Sequence, residues 1–230
     1  MEASNDRGIM YDSQIIELRD KLISSGLLNA TGEMTMTFMG LHVVLKDKSV
    51  VGNAIQGWLS AWMTANDISF SSPTNAQEPP DFWVGEGNAI LEVKSFDLDA
   101  SANFDVANFE AYKALIVAKP EHLDADYLIF GYTLRNGVLK IEKMWLKKIW
   151  EITCGSSTYP IKNQTKRGQI YAIRPATWYS IRNATPVFES KSAFLKALKA
   201  TTLITKGRNE ATRWYDDLEI ALGINPDEAI

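Results

Sequence analysis

Pro80-Asp81-Phe82-Trp83-Val84-Gly85-Glu86-Gly87-Asn88-Ala89-Ile90-Leu91-Glu92-Val93-Lys94 is the stretch that decides the fold. Asp81 to Val84 is an aromatic and β-branched run suited to a strand. Gly85-Glu86-Gly87-Asn88 has turn chemistry, with two glycines free to take positive φ. Ala89 to Phe96 reads as the returning strand. It sets Leu91, Val93 and Ser95 on one face and Ile90, Glu92, Lys94 and Phe96 on the other. A four-residue loop pairs Val84 with Ala89 and therefore Asp81 with Glu92, their Cβ atoms about 5 Å apart. Two carboxylates that close repel by about 3 kcal/mol at an effective dielectric of about 20. A cation between them removes the conflict, and Mg²⁺ takes one or two carboxylates together with phosphate oxygens and waters. Lys94 points to the same side as Glu92, where it can hold or polarise an attacking water.

The alternative reading is a solvent-facing hairpin end with ordinary surface charges. An acid-x-Lys triplet arises by chance in such a chain, and a second one, Glu189-Ser190-Lys191, is present. That triplet has no preceding Pro-Asp and lies beside a helix-like stretch. A second Pro-Asp, Pro226-Asp227, has no strand after it. Only Asp81, Glu92 and Lys94 combine order, spacing and strand context.

Pro80-Asp81 with Glu92-Val93-Lys94 resembles the PD-(D/E)xK nuclease motif, particularly that of type II restriction endonucleases. Gly52-Asn53-Ala54-Ile55-Gln56-Gly57-Trp58-Leu59 is similar to the helix that precedes the hairpin in such enzymes. Ser95-Phe96-Asp97 leading to Asn103-Phe104-Asp105-Val106-Ala107-Asn108-Phe109 is similar to the following helix. Together these resemble the NgoBV and NlaIV branch, which cuts interrupted palindromes. The resemblance implies an α/β fold with a central mixed β-sheet flanked by helices, and Mg²⁺ as cofactor. It further implies Asp81 and Glu92 as metal ligands with the Val93 carbonyl a third, and Lys94 on the nucleophilic water. Many relatives carry a glutamate on the preceding helix; the position here is Gln56. That residue either orients water or a metal-bound oxygen, or is an exposed helix residue.

Length and composition suit such a protein. The 230 residues fit one domain, 46% of them apolar. Residues 1–151 are expected to form a catalytic core with dimerisation helices, 152–209 a basic DNA-recognition part, and 210–230 a helix and acidic tail. No apolar run is long enough to span a membrane, and the N-terminus does not read as a signal peptide. Cys154 is the one cysteine, so no intrachain disulfide forms and a reducing cytoplasm fits, a bacterial one as the resemblance implies. His42 and His122 lie far apart, which argues against structural zinc, and no Walker-type or dinucleotide-binding loop occurs.

The net charge of −4 argues weakly against nucleic acid, but its distribution reverses the argument. Residues 1–151 hold 13 basic and 21 acidic side chains, residues 152–209 hold 10 and 1, and residues 210–230 hold 1 and 6. A segment that basic beside an acidic half is expected of a phosphate-binding surface, the alternative being a solvated face. Lys162, Asn163, Gln164, Lys166, Arg167, Gln169 and Arg174 crowd into thirteen positions. Amides suit adenine edges and cations suit guanine O6 and N7, although the cations can equally hold phosphates alone. Tyr159, Tyr171 and Trp178 are placed to buttress this segment.

Elsewhere the periodicity predicts helices over 12–25, 52–65, 103–119, 191–202 and 209–222. It predicts strands over 126–134 and 138–145 around an Asn136-Gly137 turn. Residues 27–40 are ambiguous, 41–45 form a short strand or helical turn, and 146–152 a short strand or helix. Trp58 and Trp62, four apart, read as core or dimer packing rather than as base-stacking groups.

The sequence thus points to a homodimeric, Mg²⁺-dependent type II endonuclease acting on double-stranded DNA at a short palindrome. A methyltransferase would be its genetic partner. A repair or junction-resolving nuclease on the same fold, and a non-catalytic DNA-binding module, are the alternatives. The paired carboxylates argue against the last.

Overall fold

A computed structural model describes residues 9–75 and 78–224. In chain order its elements are α1 (Ser13–Ser24), β1 (Thr31–Glu33), β2 (Thr35–Phe38), β3 (Leu41–Val44), α2 (Val51–Ala65), β4 (Phe70–Ser71), β5 (Phe82–Val84), β6 (Ala89–Asp97), β7 (Ala107–Asn108), α3 (Phe109–Ala118), β8 (Asp126–Arg135), β9 (Val138–Lys147), β10 (Asn163–Lys166), β11 (Gln169–Ile173), α4 (Lys191–Lys206) and α5 (Arg208–Ala221).

The main sheet has the order β1-β9-β8-β6-β5-β4. β6 and β8 run parallel and the other neighbours antiparallel. α3 lies in the crossover between the two parallel strands, as a parallel pair requires. β8 is buried from Asp126 to Leu134, which marks it as the central strand covered on both faces. Its side chains divide with period two. Leu128, Phe130, Tyr132 and Leu134 join one core with Ile15, Leu18, Ile55 and Leu59 from α1 and α2. Tyr127 and Ile129 join the other with Phe109, Ile116, Phe194 and Leu198 from α3 and α4. Truncating a side chain such as Leu128 to alanine costs about 2–5 kcal/mol at sites of this kind. The mixed sheet between helical layers is the architecture expected from the sequence.

The Asn136-Gly137 turn joins β8 to β9 with both residues at positive φ, 53° and 86°. The β8–β9 register shifts at Gly131, where a Cβ would come within 2.9 Å of the Trp145 ring. α1 begins at the Asp12 cap, whose carboxylate accepts from the Gln14 N–H.

Three expectations change. The helix predicted over 103–119 starts only at Phe109, with Asn108 as its cap. The residues before it are drawn into extended backbone: the Val106 N–H donates to the Ile173 carbonyl at 3.0 Å, and β7 pairs with β11. The ambiguous segment 27–40 holds β1, at the edge of the main sheet, and β2, which pairs with β3 in a separate two-stranded sheet. Residues 146–152 finish β9 and then make a 3₁₀ turn over Ile149–Glu151. Pro226-Asp227 and the end of the acidic tail lie outside the described residues. Among the described residues no helix is long and apolar enough to cross a membrane.

Candidate active site

The hairpin has the register read from its turn. Val84 pairs with Ala89, Trp83 with Ile90 and Phe82 with Leu91, so Asp81, one step beyond, stands across from Glu92. Gly85 and Asn88 take positive φ at the two ends of the loop. Leu91 and Val93 are buried in the α1–α2 core, and this alternation turns Glu92 and Lys94 to the opposite face. On the other flank of β6, Glu92 is in register with Tyr127 of β8. Asp81, Glu92 and Tyr127 therefore form a row across three adjacent strands.

Asp81 is held from two sides. Its Oδ2 accepts from the Val93 N–H at 2.6 Å and its Oδ1 from the Gln56 carboxamide at 3.0 Å. Gln56 follows Ile55, one of the buried α2 residues, and so sits on the flank of α2 that overlooks the hairpin. A strand residue directs its N–H and C=O to the same edge, so the Val93 carbonyl faces the edge that Asp81 occupies. Lys94 Nζ lies 3.1 Å from Glu92 Oε2, both side chains being mostly buried.

Burial pushes the Glu92 carboxyl pKa up; the Lys94 ammonium pulls it back, and the Asp81 charge raises it again, for a net rise. Burial alone would lower the Lys94 pKa, but the Glu92 and Asp81 carboxylates outweigh it and the net shift is upward. Lys94 is therefore a cation at neutral pH, suited to orienting an oxygen and opposing negative charge rather than to removing a proton. Mg²⁺ accepts a site of one or two carboxylates completed by phosphate and water, so Asp81, Glu92 and the Val93 carbonyl fit it by donor chemistry. Among the described residues no group of three or more His, Cys, Asp or Glu gathers as a metal site. This agrees with Gln56, not an acid, standing beside Asp81.

These groups open on one cleft of about 630 Å³. Its walls include Asp81, Glu92 and Lys94, Asp105 and Asn108 before and at the start of α3, Tyr112 on α3, His122, Tyr127, and Tyr171 with Ala172 on β11. Tyr112, His122, Tyr127 and Asp105 were not singled out from the sequence. Their approach depends on the α3 crossover and the β6–β8 register, for which the sequence carries no local signal.

The basic segment forms the β10–β11 hairpin, turning at Arg167 and Gly168 with φ of 52° and 77°. Gln164, Lys166, Arg167 and Gln169 are exposed. The Lys166 ammonium lies 3.3 Å from the centroid of the Tyr171 ring, which buttresses the hairpin. The Asn163 amide donates to the Ile161 carbonyl at 2.9 Å. Lys162 donates to the Pro175 carbonyl at 2.8 Å, and Arg174 pairs with Asp105 and Asn103. Trp178 packs with Phe96, Phe104, Trp145 and Tyr179 in an aromatic cluster. Trp58 and Trp62 lie 6.4 Å apart, Trp62 against the core and Trp58 partly exposed.

The basic segment is not one continuous surface. Lys191 pairs with Asp124, Lys206 with Glu110 and Arg174 with Asp105, while Lys199 lies over the Tyr215 ring. Acids from the first part of the chain return to neutralise it, because neighbours along the chain are not neighbours in space.

Comparison with known proteins shows the family of the chain. A family model described as NgoBV restriction endonuclease matches residues 12–224. The chain belongs to the NgoBV restriction endonuclease family. It is 40% identical over 212 residues to the type II restriction enzyme NlaIV of Neisseria lactamica, covering 89% of this chain and 87% of that one. It is 33% identical over 156 residues to the type II restriction enzyme NgoBV of Neisseria gonorrhoeae, covering 66% of this chain and 89% of that one. A solved NlaIV restriction endonuclease structure matches with a TM-score of 0.83 at 37% identity, covering 96% of this chain and 92% of that one. As a member of the NgoBV and NlaIV branch, the protein is a nuclease of the type II restriction endonuclease class. Its α/β fold is the PD-(D/E)xK core.

Proposed function

We propose that the protein hydrolyses double-stranded DNA at a short palindromic site, with Mg²⁺, as a homodimer whose subunits each cut one strand. The observation that carries this reading is the single cleft shared by Asp81, Glu92 and Lys94. Asp81, Glu92 and the Val93 carbonyl hold the metal. When bound, the metal lowers the pKa of water and offsets phosphate charge. Gln56 and the Val93 N–H fix the Asp81 carboxylate, so that it presents one geometry to the site. Lys94 holds the attacking oxygen in line and opposes the charge that builds on the phosphorus centre. Hydrolysis breaks the P–O3′ bond, leaving a 5′-phosphate and a 3′-hydroxyl.

The β10–β11 hairpin, reaching out from the cleft wall at Tyr171, supplies the DNA-reading groups Gln164, Lys166, Arg167 and Gln169, with Asn163 beside them. Lys162 and Arg174, engaged by protein partners, brace that hairpin. Two-fold symmetry of the dimer matches the symmetry of a palindrome. An enzyme of this kind requires a methyltransferase that protects the host site.

Digestion of unmethylated phage DNA with and without Mg²⁺ tests the reading. Discrete fragments that appear only with Mg²⁺ and carry 5′-phosphates support it. A smear indicates a non-specific or structure-directed nuclease, and binding without cutting removes the enzymatic function.

A further inference from the structure

The ribbon of β2 and β3 forms a sheet of its own, apart from the main one. Its register pairs Met36 with Val43 and Phe38 with Leu41, and period two puts these four side chains on one face. All four are exposed, from 45% for Val43 to 70% for Leu41, and none joins either core. Met39 extends the apolar surface at the Met39-Gly40 turn, where both residues take positive φ. Thr35, Thr37 and His42 lie on the other face, with Thr37 Oγ1 2.7 Å from His42 Nδ1. Residues 34–45 include no Asp, Glu, Lys or Arg. Proteins ordinarily guard free strand edges with charge, and an unguarded apolar patch marks a contact surface. Binding to phosphates needs cations, so this face suits an apolar partner and not DNA. At the foot of the ribbon is a largely apolar hollow of about 290 Å³, whose walls include Leu27, Met34, Ile55, Trp58, Leu139 and Ile141. A cavity of about 150 Å³ accepts a benzene ring, so this hollow has room for a phenylalanine.

We propose that two copies of this chain dimerise through the β2–β3 ribbon, the tip of each seated in the hollow of the other. The inference rests on the homodimer named above and gives it a surface. A knob and a hole on one chain are what a two-fold axis requires, because each copy then gives and receives the same contact. Met36, Phe38, Met39, Leu41 and Val43 offer apolar surface on the order of several hundred Å², and a standard interface takes about 800 Å² from each partner. The rim of the hollow supplies the remainder, including Trp58, which is 40% exposed and joins neither core. The ribbon packs beside the β8–β9 turn: a Cβ on Gly137 would fall 2.6 Å from Val44 Cγ1. That turn follows the end of β8 at Arg135, whereas Glu92 is in register with Tyr127 near its start. Eight residues of strand, each about 3.3 Å long, put about 25 Å between them. The contact therefore leaves both clefts open to DNA.

The test is sedimentation equilibrium of the full chain, as wild type and as the double variant Phe38→Ser with Leu41→Ser. Far-UV circular dichroism checks that the variant folds, and both positions are exposed in the single chain. The expected result is a wild-type dimer and a dissociation constant raised at least about 100-fold in the variant, because apolar anchors at an interface act twice across a two-fold axis. A folded variant that dimerises as tightly as wild type overturns the proposal and leaves a dimer built on another surface. Wild-type protein that stays monomeric overturns the homodimer reading as well, so the two failures are told apart by the wild-type run. Amide hydrogen exchange of the wild type tests the same surface without relying on the variant. Residues 35–44 should exchange more slowly as protein concentration rises through the dissociation constant. Exchange there that is independent of concentration overturns the proposal, and exchange slowed only by added DNA overturns it in favour of a DNA contact.

Discussion

The Gln56 carboxamide donates to Oδ1 of Asp81 at 3.0 Å, a contact between α2 and the residue that leads into β5. With the Val93 N–H on Oδ2, both oxygens of Asp81 are oriented before any ligand enters. Gln56 thereby acts on the carboxylate rather than as a charged ligand. Gln56→Ala is expected to lower cleavage about 10–100-fold while leaving DNA binding in metal-free buffer unchanged. Single-turnover cleavage and a filter-binding assay on the same variant check this.

With Glu92 as a proposed metal ligand, its ionisation is expected to set the acid limb of activity. Its carboxyl pKa is raised, first by burial and then by Asp81, against the pull of Lys94. The folded protein therefore holds a proton there to higher pH than the unfolded chain. Taken alone, this group makes metal-free stability fall as pH rises from the ordinary glutamate range through the folded value. Metal binding needs the ionised form and runs the other way. Lys94 does not alter this window, because its raised value makes its contribution complete below the ordinary lysine pKa and lost only on the alkaline side. The Tm gain from a fixed Mg²⁺ concentration should grow with pH across the acid range, with a midpoint above the ordinary glutamate value. A pH-independent gain would contradict it.

The hairpin turn is under backbone constraint at Gly85, where φ is +69°. A Cβ there would also fall 1.6 Å from Gln14 Oε1, a flexible side chain that can move aside. The cost of Gly85→Ala is thus set mainly by the left-handed backbone, about 1–2 kcal/mol. Chemical denaturation should show that loss.

Arg167 and Arg174 lie seven positions apart and should behave oppositely. Arg167 is exposed at the hairpin turn, whereas Arg174 is mostly buried against Asp105 and Asn103. Arg167→Ala is expected to weaken DNA binding and lower the salt slope by about 1. Arg174→Ala is expected to lower Tm and leave the salt slope alone. Binding isotherms at several salt concentrations, with a melting curve for each variant, separate the two.

The hairpin is legible because everything that sets it is local: Gly85 and Asn88, not Gly87, take the positive φ of the loop, and period two then fixes which residues face the cleft. The row Asp81, Glu92, Tyr127 was only half legible. Tyr127 reaches Glu92 through a parallel pairing, and no local signal sets that register. Gln56 was legible as a helix residue but not as a partner of Asp81, because helical periodicity gives a face and not what it meets. The start of α3 was misread since Asn103 to Asn108 has no strong strand signal; its extended backbone follows from Arg174 and Ile173, some seventy residues away. The charge partition marks residues 152–209 as basic along the chain, but in space Asp105, Glu110 and Asp124 pair with three of its cations, Arg174, Lys206 and Lys191.

Lys94, paired with Glu92 on the face that Asp81 shares, is proposed to take part in the chemistry and not in holding DNA. Lys94→Ala measured for both binding and cleavage on one phage DNA fragment addresses it most directly. The expected result is metal-free binding at the wild-type affinity, with Mg²⁺-dependent cleavage reduced by at least about 100-fold. Cleavage at the wild-type rate would contradict it and remove Lys94 from the mechanism.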